Sequence, residues 1–265
     1  MRSLIGFTLA LGLTLNVYTQ VNPNFDLSSK KLLVGEDLNY VVKYAFLRLG
    51  EVRIRVVEKL NIRNTPVYKT MAYIDSYPDL PFVSLHQVYE SYIDSSFYPL
   101  KFFARILKDD TTIVNYSFID STQIEMKKGR VGNQKLWLDS TAIVNKRMQD
   151  GLSILYFARL NSGTSKTMNI PCFVNEKVEI TKINFLNESE PVSIESIDYK
   201  IDCLRLEGET DFVSVYGLTG FFEGWFSNDE FSVPIIAEMQ VLIGSVTLEL
   251  INWNEELWNP PLYID

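Results

Sequence analysis

The sequence predicts a mostly β protein, a single-domain, antiparallel, strongly curved sheet or partial barrel with one short central helix. Three observations predict it. Apolar and polar side chains alternate with period two through most of the chain. Glycine, proline and Asn/Ser/Asp clusters punctuate these runs at short intervals. One stretch, Asp150 to Leu160, switches to a period of about 3.6.

The chain opens with Arg2 and an uncharged apolar run, Leu4 to Leu15, before a polar "NVYTQ". This is the layout of a secretory signal peptide, with cleavage expected near Thr19–Gln20. As a helix the run reaches only about 18 Å, too short for a ~30 Å hydrocarbon core. No cysteine follows it, which argues against a lipid-anchored form, and no later segment is apolar enough to span a membrane as a helix. The mature chain, 20–265, is expected to be one β-rich domain with its core at about 35–253. The exported compartment is expected to be the periplasm, with an extracellular location as the alternative.

In chain order, Leu38, Tyr40, Val42, Tyr44 and Phe46 share one parity against Asn39 and Lys43. Val52, Ile54 and Val56 alternate with Arg53 and Arg55. Together they predict a hairpin whose turn lies at "RLGE" around Gly50. Pro66–Ile74 reads as a third strand, and the proline-bearing Asp75–Phe82 as a loop. "LHQVYESYI" fits a helix stripe as well as a strand; its β-branched and aromatic content favours a strand from about Val88. Two strands flank "KDD", and two more flank a turn at Lys127–Arg130 ("KKGR"). In "DGLSILYFARL" Asp150 is a suitable N-cap, and Leu152, Leu155, Tyr156 and Arg159 share a face. Afterwards Val178–Leu186, Ile197–Gly208 and "FVSVYGL" resume the β pattern, and "GLTGFFEG" reads as a turn.

Composition excludes several functions. Formal net charge is −8 at pH 7, which disfavours DNA or an acidic lipid surface as partner. His86 is the only histidine, and no G-x-S-x-G elbow, P-loop or dinucleotide fingerprint occurs, so no cofactor is implied. Two cysteines and one histidine do not make a structural zinc site, and no metal is expected. Cys172 and Cys203 lie in strand-like segments; a disulfide between them and two buried thiols remain open alternatives.

Four segments, "GEDLNYVVKY", "YESYIDSSFYPLKF", "DGLSILYFAR" and "GWFSNDEFSVPIIAEMQVLIGSVTLEL", occur in this order. They resemble the exported bacterial family catalogued as domain of unknown function 3108, from Gly35 to Leu250. The sharpest element is the series Trp225, Ser227, Asp229, Pro234, Gly244 and Ser245; the second is Tyr156 to Arg159. Asn228 and Phe231 depart mildly from the pattern. The resemblance implies an exported β protein of the bacterial envelope and carries no catalytic residue. It also implies an open or curved antiparallel sheet like those of periplasmic lipoprotein carriers.

Asp229–Glu230 is the obvious acid pair, yet "SNDE" is turn chemistry first, since Ser, Asn and Asp bond their own backbone. The stretch from Gly224 to Trp253 therefore reads as two successive β-hairpins, with no catalytic residue assigned. Arg159 suits the negative end of the helix; its functional alternative is to hold an acidic headgroup or to pair with an acid such as Asp229, with Tyr156 packed beside it. Tyr156, Arg159, Trp225, Ser227 and Asp229 are thus the candidate binding residues. Tyr and Phe on a concave face would make an apolar groove, but alternation cannot tell which parity faces core, cavity or partner. The expected function is non-enzymatic binding or carriage of a lipid-like molecule or an envelope protein. The alternatives are a structural module for envelope assembly and a carboxylate-based glycan hydrolase, which would need two acids about 5–9 Å apart.

Overall fold

A computed structural model describes residues 30–264 apart from 79, 81–83, 108–110, 133–135, 213–218 and 242–243. The expected leader and most of "FVSVYGL" lie outside the described residues. Fourteen strands form one sheet in which every neighbour is antiparallel. The first run is β1 (Asp37–Tyr44), β2 (Leu47–Ile62), β3 (Thr65–Ser76), β4 (His86–Ile93), β5 (Pro99–Ile106), β6 (Thr112–Phe118), β7 (Gln123–Arg130) and β8 (Leu138–Ile143). The helix α1 (Ser153–Asn161) follows. The second run is β9 (Thr167–Val174), β10 (Lys177–Val192), β11 (Ile201–Thr210), β12 (Gly220–Ser227), β13 (Pro234–Gln240) and β14 (Ser245–Trp253). Pairing of β1 with β14 joins the runs, so the first strand is central and β8 and β9 are the edges.

The sheet curls without closing. Tyr116 on β6 meets Phe173 on β9 edge to face, with centroids 5.3 Å apart. Its hydroxyl donates to Glu176 Oε1 at 3.0 Å, and Lys128 on β7 reaches the same carboxylate at 3.1 Å. The β9–β10 turn therefore touches β6 and β7, although these strands are far apart in sheet order. Tyr89, Phe102 and Tyr116 stack in a row across β4, β5 and β6, which continues the inner face toward Phe173. The chain from β8 to β9 crosses between the two edges and carries α1 inside the curl. One side of α1 joins the first run through Asp150 and Ser91 of β4. Its other side packs Ala158, Ile154 and Phe157 against Ile183, Phe185 and Leu206 of the second run.

Several local expectations shift. The first turn falls at Ala45–Phe46, where Ala45 has φ 51°, and Gly50 lies within β2. Glycine is needed there for space: a Cβ would stand 2.2 Å from the carbonyl oxygen of Asp75 on β3. Lys127–Arg130 continues β7, its turn comes at 131–132, and the next strand begins only at Leu138. Ile197–Lys200 is irregular and β11 starts at Ile201. Gly220–Gly224, read as a turn, belongs to β12. Alternation marks the strands but not their ends, because the turn residues here also serve as close-approach residues within the sheet.

The Gly50 contact gives a test. Gly50→Ala is expected to lower the unfolding free energy by ~1–3 kcal/mol, the usual cost of overpacking a fixed site. Urea denaturation should show a lower midpoint with an unchanged slope.

Candidate binding site: a buried ion pair and an apolar cavity

Arg159 projects from the last turn of α1 and is 1% exposed. Its Nη1 and Nη2 donate to Oε1 and Oε2 of Glu36 at 2.7 and 2.8 Å, a bidentate pair. Nε and Nη2 also donate to the Phe231 carbonyl at 3.2 and 2.9 Å. Burial alone would lower the guanidinium pKa, but the Glu36 carboxylate outweighs it and holds the group above its ordinary value. Glu36 stands just before β1 and Phe231 in the β12–β13 turn, so one side chain ties the helix to both runs. The acid that meets Arg159 is thus Glu36, not Asp229. Glu36 and Arg159 are 123 positions apart, and "GEDLNY" carries no local signal that its acid meets Arg159.

Asp229 builds the β12–β13 turn. Its Oδ1 accepts from Ser227 Oγ and from the Phe231 and Ser232 amides, each at 2.9 Å, and Oδ2 accepts the Trp258 indole N–H at 2.8 Å. Ser227 Oγ in turn accepts the Val233 amide at 2.8 Å. Lys30 donates to the Asp229 carbonyl and to Ser232 Oγ; burial lowers its pKa to about 8. Glu230 reaches outward to Lys31, so the two adjacent acids do not share a cleft. The Tyr156 hydroxyl, also buried, donates to the Arg55 carbonyl at 3.4 Å. Arg159, Ser227 and Asp229 are therefore brought together around the Phe231 turn, and the Tyr156 ring lies 5.6 Å from the Arg159 guanidinium. Trp225 points away, its indole donating to Glu190 at 3.1 Å.

None of Tyr156, Arg159, Trp225, Ser227 and Asp229 lines the apolar cavity of ≈ 190 Å³ that lies between α1 and the sheet. Tyr40 and Ile54 bound it from β1 and β2, Ile154 and Leu155 from α1, and Leu206 and Phe226 from β11 and β12. Its origin is visible in one cross-strand row, where Leu206, Gly224, Ala237 and Leu248 are successive partners. Two small residues stand side by side in the middle of that row. A Cβ on Gly224 would meet the Phe226 ring at 2.9 Å, so Phe226 occupies the room that a side chain there would need. Asp150 lines the cavity from the foot of the helix. Although α1 proper begins at Ser153, the Asp150 carboxylate accepts the Leu152 and Ser153 amides at 2.8 and 2.6 Å, as an N-cap does. Its other oxygen accepts from Ser91 Oγ at 2.6 Å. Complete burial raises its pKa to about 6.

The two cysteines are free, buried thiols. Strand β10 runs between β9 and β11, and Cys172 faces its Glu179 whereas Cys203 faces its Glu190 near the other end. Two strand spacings are about 9–10 Å, already beyond disulfide reach. Desolvation pushes the Cys172 thiol up to about 12 and raises Cys203 as well. His86 is exposed and paired with Asp75 at 3.0 Å. Among the described residues no group of three or more His, Cys, Asp or Glu side chains is placed to hold a metal, and no helix is long and apolar enough to cross a membrane.

An open, curled antiparallel sheet around one helix and an apolar cavity defines a β-barrel-like protein. The model of the DUF3108 family, described as a protein of unknown function, matches residues 39–251, and the chain belongs to that family. No curated protein gives a significant match. Among solved structures the chain is similar to a β-barrel-like protein of domain of unknown function DUF1849 from Brucella abortus. That likeness has a TM-score of 0.56 and 12% identity, and it covers 86% of this chain and 99% of the other. A protein with a YmcC-like fold from Bacteroides fragilis matches with a TM-score of 0.34 and 9% identity, over 85% of this chain and 98% of the other. At these identities the first likeness speaks for the fold alone.

Two outcomes follow from the site. Arg159→Met leaves Glu36 buried without a partner and should cost ~3–5 kcal/mol in chemical denaturation, and adding Glu36→Leu should recover part of the loss. Asp150 has a folded pKa above its unfolded ~3.9, so it stabilises fully below that value and loses its contribution as pH rises through about 6. Unfolding free energy should fall by on the order of 2 kcal/mol from this group between about pH 4 and pH 7. Asp150→Asn, which keeps an acceptor for the helix amides, should flatten that slope.

Proposed function

We propose that the protein is an exported envelope protein that binds and carries an apolar, lipid-like molecule, without catalysing a reaction. The observation that carries this reading is the cavity between α1 and the inner face of β9–β14, walled by aliphatic and aromatic side chains. The leader-like segment 1–19 supports export, with the periplasm as the compartment and 20–265 as one domain. The polar network around Arg159 supports it as well. Arg159 is engaged by Glu36 and the Phe231 carbonyl, and Asp229 by the amides of its own turn, which suits a strut that keeps the helix off the sheet. The bound molecule is thus held by shape and desolvation, while Tyr156, Arg159, Ser227 and Asp229 hold the walls in place.

Native mass spectrometry of the mature protein, purified without detergent, should show a small apolar molecule retained in the complex. Ala237→Phe, which fills the gap in the Leu206–Gly224–Ala237–Leu248 row, should cut binding of a neutral fluorescent apolar dye at least about tenfold. Melting should hold or rise, as cavity-filling substitutions commonly add ~0.5–2 kcal/mol. A dye bound equally well by this variant would place its site elsewhere and refute the reading.

A further inference from the structure

Two glycines stand inside strands on the inner face of the sheet, Gly208 on β11 and Gly224 on β12. Each is met by a phenylalanine ring. A Cβ on Gly208 would lie 2.2 Å from Cζ of Phe222, its direct register partner, and 2.6 and 2.7 Å from Cε2 and Cε1 of the same ring. The Phe226 ring lies over Gly224, 2.9 Å from where a Cβ would stand. Neither glycine has a positive φ, so space rather than backbone conformation calls for glycine at both. Glycine weakens a strand interior, and its use there marks a close approach. Gly208 shares a face with Leu206 and Thr210, which line the cavity. At its own position the far edge of the Phe222 ring covers the backbone, and Phe222 lines the cavity in its place.

The polar side chains that line the cavity have partners within the protein or face away. The Tyr40 hydroxyl donates to the Pro234 carbonyl at 2.8 Å. Asp150 accepts from Ser91 and the helix amides. Thr181 Oγ1 lies 3.6 Å from Cys172 Sγ, and Thr210 Oγ1 accepts the Phe212 amide at 3.4 Å. Glu223 and Glu238 are register partners one residue out of phase with Gly224 and Ala237, so their carboxylates point to the outer face, where Glu223 meets Arg205. A polar group brought inside would give up water without an equivalent partner, whereas hydrocarbon gains by leaving water.

We propose that the cavity takes only hydrocarbon, the tail of an amphiphile whose polar end stays outside, and that Phe222, resting on Gly208, sets how much tail it accepts. This rests on the apolar-ligand reading and adds the part of the ligand that is held and the residue that limits its size. A Cβ at position 208 displaces the ring from the sheet, and the space that the ring already borders is the cavity. The bare backbone of Gly208 thus keeps that space open.

The experiment displaces a neutral naphthylamine dye from the mature protein with two series of straight-chain compounds, primary alcohols and alkyl glucosides. Affinity is expected to rise about fourfold with each added methylene, the gain from burying one, until the tail fills the cavity, and then to level off. Both series should level off at the same tail length. Gly208→Ala should level off at a shorter tail and Phe222→Leu at a longer one, with the double variant close to the unsubstituted protein. An unchanged length limit in both single variants overturns the role of Phe222 and leaves the apolar cavity reading intact. Glucosides that fail to displace the dye where alcohols of the same tail succeed overturn the placement of the polar end. A dye that fails to bind at all overturns the cavity reading, and this inference with it. If Gly208→Ala does not fold, the length limit of Phe222→Leu decides alone.

Discussion

Arg159 is the largest fully buried side chain among the described residues, and one carboxylate, Glu36, meets its charge in a two-pronged contact. Desolvating both ions costs several kcal/mol each, and the pair returns that only with good geometry, so its net contribution to stability is small. What it supplies is position. The guanidinium also holds the Phe231 carbonyl, so the end of α1, the entry to β1 and the β12–β13 turn meet at one point. Asp229 fixes the same turn from the other side and reaches the C-terminal segment through Trp258. An open sheet has two free edges and little to set its curvature; this junction and the helix it anchors set how far the two runs can approach.

The cavity follows from that spacing. With the end of α1 pinned by the ion pair and its foot pinned by Asp150 to β4, the helix cannot sink onto β12 and β13. Ala237 lies on that wall and is too small to reach it, while the Phe226 ring takes the room beside Gly224. The network keeps polar chemistry at the two ends of the helix and leaves aliphatic side chains between them. On the other half of the interior an aromatic row runs from Tyr89 through Phe102 and Tyr116 to Phe173.

Much of this was legible in the chain. Period-two alternation located nearly every strand, and one change of period located the helix, because each face of a curled sheet meets one environment along its whole length. Turn chemistry in "SNDE" was legible for the same local reason: Asp229 bonds amides two and three residues away. Contacts distant in sequence were not. Glu36 and Arg159 are joined only by the curl, and nothing local to either names the other. Gly50 looked like a turn because glycine serves both reversal and close approach, and only the β2–β3 register separates the two. The cysteines suited a disulfide by compartment and strand location, but the order β9–β10–β11 keeps them apart. Whether the inward aromatics fill a core or line a space depends on residues as plain as Ala237, which carry no signal of their own.

On these contacts α1 is a fixed internal strut rather than a surface helix. Amide hydrogen exchange resolved along Ser153–Asn161 tests it most directly. A strut predicts exchange as slow as that of β1 and β2, opening only with global unfolding, and a Glu36→Gln variant in which α1 loses protection before the strands do. Loop-like exchange across α1 in the unsubstituted protein, or unchanged α1 protection in that variant, would contradict the account.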